Sequence, residues 1–475
     1  MTREVDVLVV GGGPAGYVGA IRLGQLGRKA LVVEKEFLGG ECLNRGCIPS
    51  KSLIHASLLY SDLKLHGKEI GLNGEGTALD IRQMQTWKNG VIEKERKGVE
   101  GLLKSAGAEW MTGAVRLTGP TCAVVNSSGT EEEVRFKACI LATGAYHAAI
   151  PGFEPDGKMI LTAREMLDLD HVPDPLIVLG GGVSGVELGQ HYARLGSRVT
   201  IVEMMPQLIP GMEADLVREL TRALEGMGVK VLTSAKATGL SKEANSVSLK
   251  VVSGAGEESI TGQALFLSIG KKPETRGLGL EAAGVRVDSK GFPVVDGKMA
   301  TSQPGIYAVG DLARLPMLAH KAYREGIIAA EAISGRPTQW NYQVIPSVVF
   351  TSPEMASVGR TMADCAAQGI KAREARFPYV ALGRAHATQA EKGFVKLVAE
   401  EESGLILGVH AIGHGCGDYI SEAALAIEMG ATVRDMASTI HPHPTFGELL
   451  GEVALLWLGE PIHVVQRRSG RLGGT

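Results

Sequence analysis

The chain has 475 residues, of which 44% are hydrophobic and 21% are charged, and its formal net charge at pH 7 is −3. This length exceeds what one hydrophobic core normally organises, so we expect two to four domains. The mixed charge argues against nucleic acid or an anionic membrane as the main partner, and no run approaches the roughly 18 apolar residues of a membrane span.

The N-terminus runs directly into an apolar stretch at residues 5–10. This stretch is too short for the core of a signal peptide, and no cleavage site follows it. We therefore expect a cytosolic protein.

Glycine is unusually frequent, with 63 residues, which is about twice the usual share of roughly 7%. The first glycine-rich stretch, residues 11–16, follows an apolar strand predicted at 5–10 and precedes a helix predicted at 17–26. A second strand, predicted at 30–33, ends on Glu34. This order of strand, turn, helix and strand with a terminal acid is typical of a dinucleotide-binding unit.

The next segment whose residues could take part in a reaction contains Cys42 and Cys47. In an ideal helix, residues five positions apart lie about 8.6 Å apart at Cα, beyond the ~7 Å limit of a disulfide. A bridge therefore needs a distorted turn, which Gly46 and Pro49 would supply, and a small strained loop favours a bond that cycles. The alternative is a pair of free cysteines near a turn. The remaining cysteines are expected to be small buried hydrophobes: Cys122, Cys139, Cys365 and Cys416.

The first motif recurs later in the chain. A strand at 176–179, a glycine-rich turn at 180–185, a helix to about residue 195 and a strand at 199–202 lead to Glu203. In both copies the glutamate lies 23 positions after the first glycine. The three glycines allow a tight turn, admit a pyrophosphate and let the helix pack on the strand. Because two unrelated glycine-rich turns would not share this register, we predict two dinucleotide sites, each with a glutamate for the ribose hydroxyls.

Three further patterns complete the organisation. Residues 140–144 read as a strand and a turn that close the first domain. Residues 305–311 form another buried strand ending on a carboxylate after the second repeat, so we expect the second domain to be inserted into the first. From about residue 345 the pattern changes to antiparallel strands at 348–350, 394–398 and 405–412, followed by helices, which predicts a third domain.

The segment 39–51, GGECLNRGCIPSK, resembles the active-site stretch of the pyridine nucleotide–disulfide oxidoreductases, the glutathione reductase-like family. The resemblance extends from residue 5 to about residue 464, and residues 467–475 have no counterpart in it. It includes the turn at 142–144, the pair Gly310 and Asp311, and the segments 317–320 (MLAH) and 441–448 (HPHPTFGE).

This resemblance implies an α/β fold with two Rossmann-like dinucleotide-binding domains and a C-terminal α+β dimerisation domain. The FAD-binding domain would comprise residues 1–148 and 274–344, with an NAD-binding domain, residues 149–273, inserted between its two parts. Residues 345–475 would form the dimerisation domain.

The implied activity is the oxidation of protein-bound dihydrolipoamide to lipoamide by NAD⁺, with tightly but non-covalently bound FAD. Cys42 would be the interchange thiol, Cys47 the thiolate beside the flavin, and Lys51 a cation at the same flavin edge, paired with Glu187. No metal is implied. The other residues expected to bind FAD are Gly11, Gly13, Pro14, Ala15, Gly16, Glu34, Lys35, Gly40, Glu41, Thr143, Gly144, Asp311, Met317, Leu318, Ala319 and His320. Those expected to bind NAD are Gly180, Gly182, Gly185, Glu187, Glu203 and Gly270.

A base is needed because a thiol at its ordinary pKa is mostly protonated near neutral pH. The resemblance assigns this role to His443, with Glu448 orienting the ring and a cis bond to Pro444. His441, in the same segment, is expected to be structural. The two chains of a homodimer would share the site, so that His443 of one serves Cys42 of the other.

The expected partners are a second copy of the chain and a lipoyl-bearing acyltransferase or H-protein-like carrier, within a 2-oxo acid dehydrogenase or glycine-cleavage complex. An alternative activity is that of another NAD(P)H-dependent disulfide reductase with a different disulfide substrate. A hypothesis from another class makes the chain chiefly an interaction component of such a complex.

Related reductases differ at identifiable positions. Those that use NADPH need arginines after the second repeat, where this chain has Glu203 and Ile209. Mercuric and thioredoxin reductases use other cysteine pairs, whereas this chain has no cysteine after Cys416 and no CxxC motif. Two stretches depart from the family pattern, residues 145–147 after the 142–144 turn and residues 413–417, the second of which we expect to affect the subunit contact.

Overall fold

A computed structural model describes residues 2–465, so the segment 467–475 lies outside the described residues. The chain divides into two compact units. Within the described residues, the first unit comprises residues 2–173, Ala244–Val247 and Ala264–Asn341, and the second comprises Asp174–Glu243, Ser248–Gln263 and residues 342–465. No helix within the described part of the chain is long and apolar enough to cross a membrane.

The secondary structure follows the predicted order of strand, helix and strand in both glycine-rich repeats, at residues 5–34 and 176–203. The strands are β1 (Thr2–Val10), β2 (Ala30–Glu34), β3 (Glu109–Thr112), β4 (Ala114–Gly119), β5 (Cys122–Ser127), β6 (Thr130–Leu141), β7 (Ala145–His147), β8 (Ile160–Leu161), β9 (Leu176–Leu179), β10 (Val199–Val202), β11 (Lys230–Leu232), β12 (Lys236–Lys242), β13 (Val247–Ser253), β14 (Gly256–Gly262), β15 (Ala264–Leu267), β16 (Lys271–Pro273), β17 (Ile306–Ala308), β18 (Ser347–Val349), β19 (Met355–Gly359), β20 (Ala372–Pro378), β21 (Phe394–Glu400) and β22 (Ile406–Ile412). The α-helices are α1 (Pro14–Gln25), α2 (Gly40–Arg45), α3 (Cys47–Leu65), α4 (Ile81–Ser105), α5 (Ala163–Met166), α6 (Val183–Arg194), α7 (Ala214–Gly226), α8 (Ala319–Ile333), α9 (Met362–Ala367), α10 (Gly383–Ala387), α11 (Cys416–Glu428), α12 (Val433–Ser438) and α13 (Glu448–Leu458). Short 3-10 helices occupy Gly67–Ile70, Gly310–Leu312 and Tyr379–Ala381.

The main sheet of the first unit is built around β1, which pairs in parallel with β2 and β6. β3 continues the sheet beside β2, and β5 and β4 continue it antiparallel beyond β6. β17 pairs in parallel with β6, so the chain returns to this sheet after the second glycine repeat. β1 begins earlier than predicted because Thr2 and its neighbours pair with the long β6. The buried run at residues 7–10 fits a parallel strand covered on both faces.

Helix α1 starts where the glycine turn ends, with Pro14 in its first turn, where a missing N–H breaks no helical hydrogen bond. It packs against α8 through small residues. A Cβ added to Gly326 would lie 2.3 Å from the Ala15 carbonyl oxygen, so the two helix backbones can approach only with glycine there. This contact places α8 beside the glycine turn.

The second unit contains two kinds of sheet. β9, β10 and β11 are parallel neighbours, in keeping with the strand–helix repeat, whereas the strands after residue 345 form an antiparallel sheet in the order β18-β19-β22-β21-β20. The predicted antiparallel pattern at 348–350, 394–398 and 405–412 is therefore confirmed. β21 and β22 are almost entirely buried because α11, α12 and α13 belong to the same hydrophobic core.

Of the four cysteines outside the close pair, Cys139, Cys365 and Cys416 are buried, as predicted. Cys122 is only half-buried, so the prediction is wrong for this residue. The reason is the alternation of β5, in which Ala123 and Val125 face the core and Cys122 faces the other side.

Candidate active site

Cys42 and Cys47 lie on either side of a break between two helices. α2 ends at Arg45, Gly46 has φ −145° and ψ −109°, and α3 begins at Cys47. The break predicted at Gly46 is therefore confirmed, and Pro49 lies in the first turn of α3, where proline is tolerated. The distortion brings the side chains of both cysteines, which are free thiols in this structure, into hydrogen-bond contact.

The two thiols have opposite acidities. Cys47 is exposed at its surface, although nearby protein atoms desolvate the sulfur and raise its pKa. The hydrogen bond from Cys42 outweighs this desolvation and lowers the pKa of Cys47 to about 7, and the charges of Lys51 and Lys271 act in the same direction. The same hydrogen bond and burial raise the pKa of Cys42 far above its usual value. Near neutral pH, the pair therefore consists of one thiolate-forming sulfur and one protonated donor.

Both cysteines line a cavity of about 560 Å³ in the first unit. The predicted FAD residues around it are Gly11, Gly13, Pro14, Ala15, Glu34, Lys35, Gly40, Glu41, Thr143, Gly144, Asp311, Met317 and Ala319. Four predicted residues are not among its lining: Gly16, Lys51, Leu318 and His320. Residues that sequence reasoning missed include Gly113, Ala114, Val115, Arg164, Lys271, Glu274 and Arg276. The segment 113–115 carries no motif, so nothing in the sequence pointed to it.

The first glycine turn is shaped by contacts that exclude side chains. Gly11 has φ +101°, and a Cβ there would lie 2.4 Å from the Ala142 carbonyl oxygen. A Cβ on Gly16 would lie 1.9 Å from the Gly11 oxygen. A Cβ on Gly13 would meet nothing closer than the Gly40 Cα at 3.8 Å. The protein's own packing therefore requires the first and third glycines, whereas the second leaves the backbone open for close approach by a ligand.

The two predicted ribose-binding glutamates make the same two hydrogen bonds. Glu34 accepts one from the Gly12 amide at 2.7 Å and one from the Glu36 amide at 2.9 Å. Glu203 accepts one from the Gly181 amide at 2.7 Å and one from the Met205 amide at 2.7 Å. In each unit the carboxylate at the end of the second strand thus holds the glycine turn in place.

The second glycine turn has the backbone conformation of the first. Gly180 has φ +105°, and Gly182 precedes α6 with φ −72° and ψ −178°. Glu187 lies buried in α6, where its carboxylate accepts a hydrogen bond from the Phe350 amide at 2.9 Å. No pattern in the sequence predicts this contact with Phe350. Gly270, also predicted to bind NAD, belongs to the first unit and has φ +100°.

The predicted base and its orienting carboxylate lie together in the second unit. Nδ1 of His443 is 2.9 Å from Oε1 of Glu448, and the other Glu448 oxygen accepts a hydrogen bond from the Thr445 amide at 2.8 Å. The bond between His443 and Pro444 is cis, as predicted. His441 is instead largely buried and lies 3.0 Å from Glu422. This supports the structural interpretation of His441.

Asp311 follows β17 and lines the cavity, where burial raises its pKa against the charges of Lys271 and Lys321. A buried ion pair on α8, Lys321 with Glu325, holds the 3-10 turn Gly310–Leu312 in place. Lys321 donates to the Gly310 carbonyl at 3.1 Å, and Glu325 accepts from the Gly310 amide at 2.7 Å. Sequence reasoning missed this pair, although a lysine and a glutamate four positions apart on a helix are a recognisable signal.

A charged cluster beside the cysteines was also missed. Glu41, the residue before Cys42, lies 3.2 Å from Nε2 of His147, 3.2 Å from Arg164 and 3.5 Å from Nζ of Lys271. Burial raises the pKa of Glu41, but the hydrogen bond from His147 and the charges of Lys271 and Arg164 outweigh it and lower that pKa to about 2. The only signal in the sequence was the departure from the family pattern at residues 145–147.

Comparison with known families defines the class of this protein. Residues 5–326 match the pyridine nucleotide-disulphide oxidoreductase family, and residues 345–454 match the dimerisation domain of that family. The chain belongs to this family of oxidoreductases, and the predicted family and fold class are confirmed.

Individual relatives narrow the comparison. A dihydrolipoyl dehydrogenase of Thermus scotoductus is 43% identical over 469 residues, covering 98% of this chain and 100% of the relative. One of Geobacillus stearothermophilus is 41% identical, with 98% of each chain covered. Among solved structures, LpdA of Mycobacterium tuberculosis superposes with a TM-score of 0.89 at 28% identity, covering 95% of this chain and 100% of that one. The flavoprotein disulfide reductase RclA of Escherichia coli shares the fold, with a TM-score of 0.85 at 24% identity and coverage of 95% and 99%.

Proposed function

We propose that this protein oxidises protein-bound dihydrolipoyl groups and passes the electrons to NAD⁺ through FAD. The observation that carries the proposal is the Cys42–Cys47 pair, which lines the same cavity as the first glycine turn and Glu34. One of the two thiols, that of Cys47, is acidic enough to form a thiolate near neutral pH. Relatives named dihydrolipoyl dehydrogenase, up to 43% identical over nearly the whole chain, support the choice of substrate.

The residues around the cavity fit FAD. The open backbone at Gly13 and the N-terminus of the twelve-residue helix α1 suit a pyrophosphate, which helix dipoles and free amides favour. Glu34 would accept a ribose hydroxyl, and Asp311 would hold the ribitol chain. When bound, FAD accepts two electrons from a dithiol and delivers them to the nicotinamide.

The cysteines would carry out the exchange with the substrate. In the oxidised protein, a substrate thiolate attacks Cys42, the Cys42–Cys47 bond breaks, and Cys47 leaves as a thiolate. The second substrate thiol then displaces Cys42, so the substrate gains a disulfide and the protein gains two thiols. The acidity of Cys47 favours its departure because a thiol of lower pKa is a better leaving group.

His443 would move the protons. With Glu448 fixing Nδ1, the other ring nitrogen can accept the proton of a substrate thiol and return it to Cys42. We propose a homodimer in which His443 of one chain serves Cys42 of its partner, and the match of residues 345–454 to the family's dimerisation domain supports this arrangement.

Residues 149–273 would bind NAD⁺, with Glu203 on the adenosine ribose and Lys51 paired with Glu187 at the flavin. The FAD-binding domain would comprise residues 1–148 and 274–344, and the dimerisation domain residues 345–475. The substrate would arrive on a lipoyl-bearing acyltransferase or an H-protein-like carrier.

Steady-state turnover tests the proposal. Purified protein should reduce NAD⁺ with dihydrolipoamide, and Cys42→Ser should abolish this activity while Cys122→Ser retains it. Partial reduction should produce a long-wavelength absorbance that Cys47→Ser removes and Cys42→Ser keeps. Faster turnover of another disulfide, such as oxidised glutathione with NADPH, would support the alternative reductase instead.

A further inference from the structure

The stretch 413–417, which departs from the family pattern, contains the turn between β22 and α11. Its histidine, His414, packs on the ring of Phe446, with 5.2 Å between the ring centroids and 50° between the ring planes. This separation is typical of packed aromatic rings. Phe446 belongs to the segment 441–448 that holds the candidate base. The unusual stretch therefore contacts the loop of the base within one unit of the chain.

Buried hydroxyl groups fix the backbone that carries His414. Tyr379 is fully buried, and its hydroxyl donates a hydrogen bond to the His414 carbonyl oxygen at 3.2 Å. Because that hydroxyl has only one proton, the Tyr419 hydroxyl, 2.9 Å away, donates to it in turn. Gly413 has φ +151°, and a Cβ there would lie 2.3 Å from the Tyr379 ring, so only glycine fits above it. The His414 backbone is thus set by buried packing, although its side chain is exposed.

Phe446 has further partners besides the His414 ring. The Tyr379 ring lies 5.7 Å from it between centroids, at an interplanar angle of 33°. A Cβ placed on Gly415 would lie 3.7 Å from Cδ2 of Phe446, so the backbone of the turn also borders the ring. Phe446 is partly buried and packs against the hydrophobic core that includes α11, α12 and α13. We call His414, Tyr379 and Gly415 the Phe446 socket.

The backbone on both sides of Phe446 positions Glu448. The amide of Thr445, the preceding residue, donates to Glu448 at 2.8 Å, and the other oxygen of that carboxylate lies 2.9 Å from Nδ1 of His443. The Phe446 carbonyl oxygen accepts a hydrogen bond from the Leu449 amide at 3.2 Å, in the first turn of α13. A shift of Phe446 would therefore move both the Thr445 amide and the start of the helix that carries Glu448.

We propose that His414 is a positioning residue, which seats Phe446 in its socket and thereby keeps Glu448 aligned with the imidazole of His443. The inference rests on the proposed function in that it takes His443 as the base. It gives the stretch 413–417 a role within its own chain, next to the pair that moves the protons.

The test compares two substitutions of the exposed imidazole with a matched control. His414→Ala removes the ring, and His414→Phe replaces it with a ring that cannot ionise. The control is His386→Ala, because His386 is an exposed histidine of the same unit that pairs with Glu391 instead. In each FAD-loaded protein, stopped-flow spectroscopy measures flavin reduction by NADH, and steady-state kinetics measure dihydrolipoamide oxidation by NAD⁺. Only the second reaction needs the base to deprotonate a substrate thiol.

His414→Ala should lower kcat for dihydrolipoamide oxidation about three- to tenfold. This is less than the ~100-fold cost of a ~1 Å misplacement, because Glu448 keeps its hydrogen bond to Thr445. Flavin reduction by NADH and the thermal midpoint should stay unchanged. His414→Phe should restore kcat, and His386→Ala should behave as the unmodified protein.

A double-mutant cycle separates positioning from a general loss of packing. In the Glu448→Gln background, His414→Ala should have almost no further effect on kcat, because the carboxylate through which it acts is already lost. Equal fold losses in both backgrounds would overturn the inference. So would a parallel loss of flavin reduction, an unchanged kcat in His414→Ala, or a failure of His414→Phe to restore it.

The orientation of the base can also be measured without substrate. Nitrogen NMR on histidine-labelled protein, with the His443 signal assigned by its absence in His443→Ala, reports which ring nitrogen carries the proton in the neutral imidazole. The unmodified protein should show the Nδ1–H tautomer alone, and His414→Ala a mixture of both tautomers. A single Nδ1–H tautomer in His414→Ala would contradict the proposal. Failure of the proposed function is a separate result, since it would show as absent dihydrolipoamide turnover in the unmodified protein.

Discussion

Nδ1 of His443 lies 2.9 Å from Glu448, while 75% of the His443 side chain remains exposed. The carboxylate is itself fixed by the Thr445 amide at 2.8 Å. One edge of the imidazole is thus oriented by the protein's own backbone and side chains, and the ring is presented to solvent. This is the arrangement that the general base proposed above requires, with one ring nitrogen oriented by a third group and the other free to exchange a proton.

Removing this imidazole should lower kcat for dihydrolipoamide oxidation by about 10²–10⁴-fold, the usual range for general acid–base catalysis. The change is His443→Ala, measured by steady-state kinetics. A matched control is His386→Ala, because His386 also lies 2.8 Å from a glutamate five positions later and is also exposed. The two variants should differ in kcat while their thermal stability stays similar. Equal activities would remove His443 from the mechanism.

A shared active site predicts complementation between inactive chains. Cys42→Ser and His443→Ala proteins should each be inactive alone. In a mixed dimer, one site carries both lesions and the other carries neither, so activity should return toward half of the wild-type value per mixed dimer. Mixed dimers can be isolated with two affinity tags and assayed for NAD⁺ reduction. Inactive mixed dimers of verified composition would show that each chain builds its own site.

Nucleotide preference should depend on Glu203. Its carboxylate is buried and would meet the 2′-phosphate of NADP⁺ as an unpaired like charge, so we expect NAD⁺ to be preferred by several kcal/mol. Glu203→Gln keeps the size of the side chain and should reduce the ratio of kcat/KM for NAD⁺ over NADP⁺. Glu34→Gln, at the equivalent position of the first repeat, should instead weaken FAD retention and leave this ratio unchanged. An unchanged ratio in Glu203→Gln would contradict this reading.

A buried lysine should stabilise the second unit. Lys396 of β21 has only 5% of its side chain exposed and forms ion pairs with Glu213 and, at 3.0 Å, Asp215. Burial disfavours the charged form of Lys396 and lowers its pKa, but hydrogen bonds to Glu213 and Asp215 outweigh this effect. The pKa of Lys396 is therefore raised above its usual value. A third carboxylate, that of Glu374, lies 3.6 Å from the same ammonium. Lys396→Met would remove the cation that these three carboxylates share, and we expect a loss of about 3–5 kcal/mol in unfolding free energy.

The pH dependence of this loss follows from the raised pKa. The stabilisation should be complete below the ordinary lysine value of 10.5 and should decline as the pH rises through the higher pKa of the folded protein. The difference between wild type and Lys396→Met, measured by urea unfolding, should therefore narrow only in strong alkali. Lys371→Met, at an exposed position before β20, serves as the control and should change stability little.

Glu41 should make stability sensitive to acid. Its pKa falls from 4.5 to about 2 on folding, so its stabilisation is present above pH 4.5 and is lost as the pH falls toward 2. We expect Glu41→Gln to lower the free energy of unfolding by about 1–3 kcal/mol at pH 7. The difference in unfolding free energy between wild type and Glu41→Gln should disappear as the pH falls from 4.5 to 2. Glu131→Gln, at an exposed position of β6, should have the unfolding free energy of the wild type throughout this range. A difference independent of pH would point to lost packing instead.

The elements that sequence reasoning located share one property, which is that their signal is local. The turn at residues 11–16, its repeat at 180–185 and the break at Gly46 each follow from conformational preferences within a few residues. The family resemblance added the pairing of His443 with Glu448, which lie five positions apart.

The features that escaped prediction depend on contacts between distant parts of the chain. His147 and Lys271 meet only because β7 and β16 pair in one register, and no local pattern specifies a register between segments so far apart. The ion pairs of Lys396 likewise join residues separated by about 180 positions. Such contacts arise only when the chain is folded. The local sequence around each of these residues is typical of an exposed, charged segment and does not predict them.

The duplicated glutamate–glycine contact gives this protein an internal reference for its own local stability. The Gly12 and Gly181 amides donate hydrogen bonds of the same length, 2.7 Å, to carboxylates at equivalent positions of two similar turns. Each amide exchanges its hydrogen with solvent only when its turn opens, and we expect the two similar turns to open at similar rates. A divergence between their exchange rates would then report which turn is covered by a nucleotide, so that occupancy of the two sites could be followed separately in one molecule and one experiment.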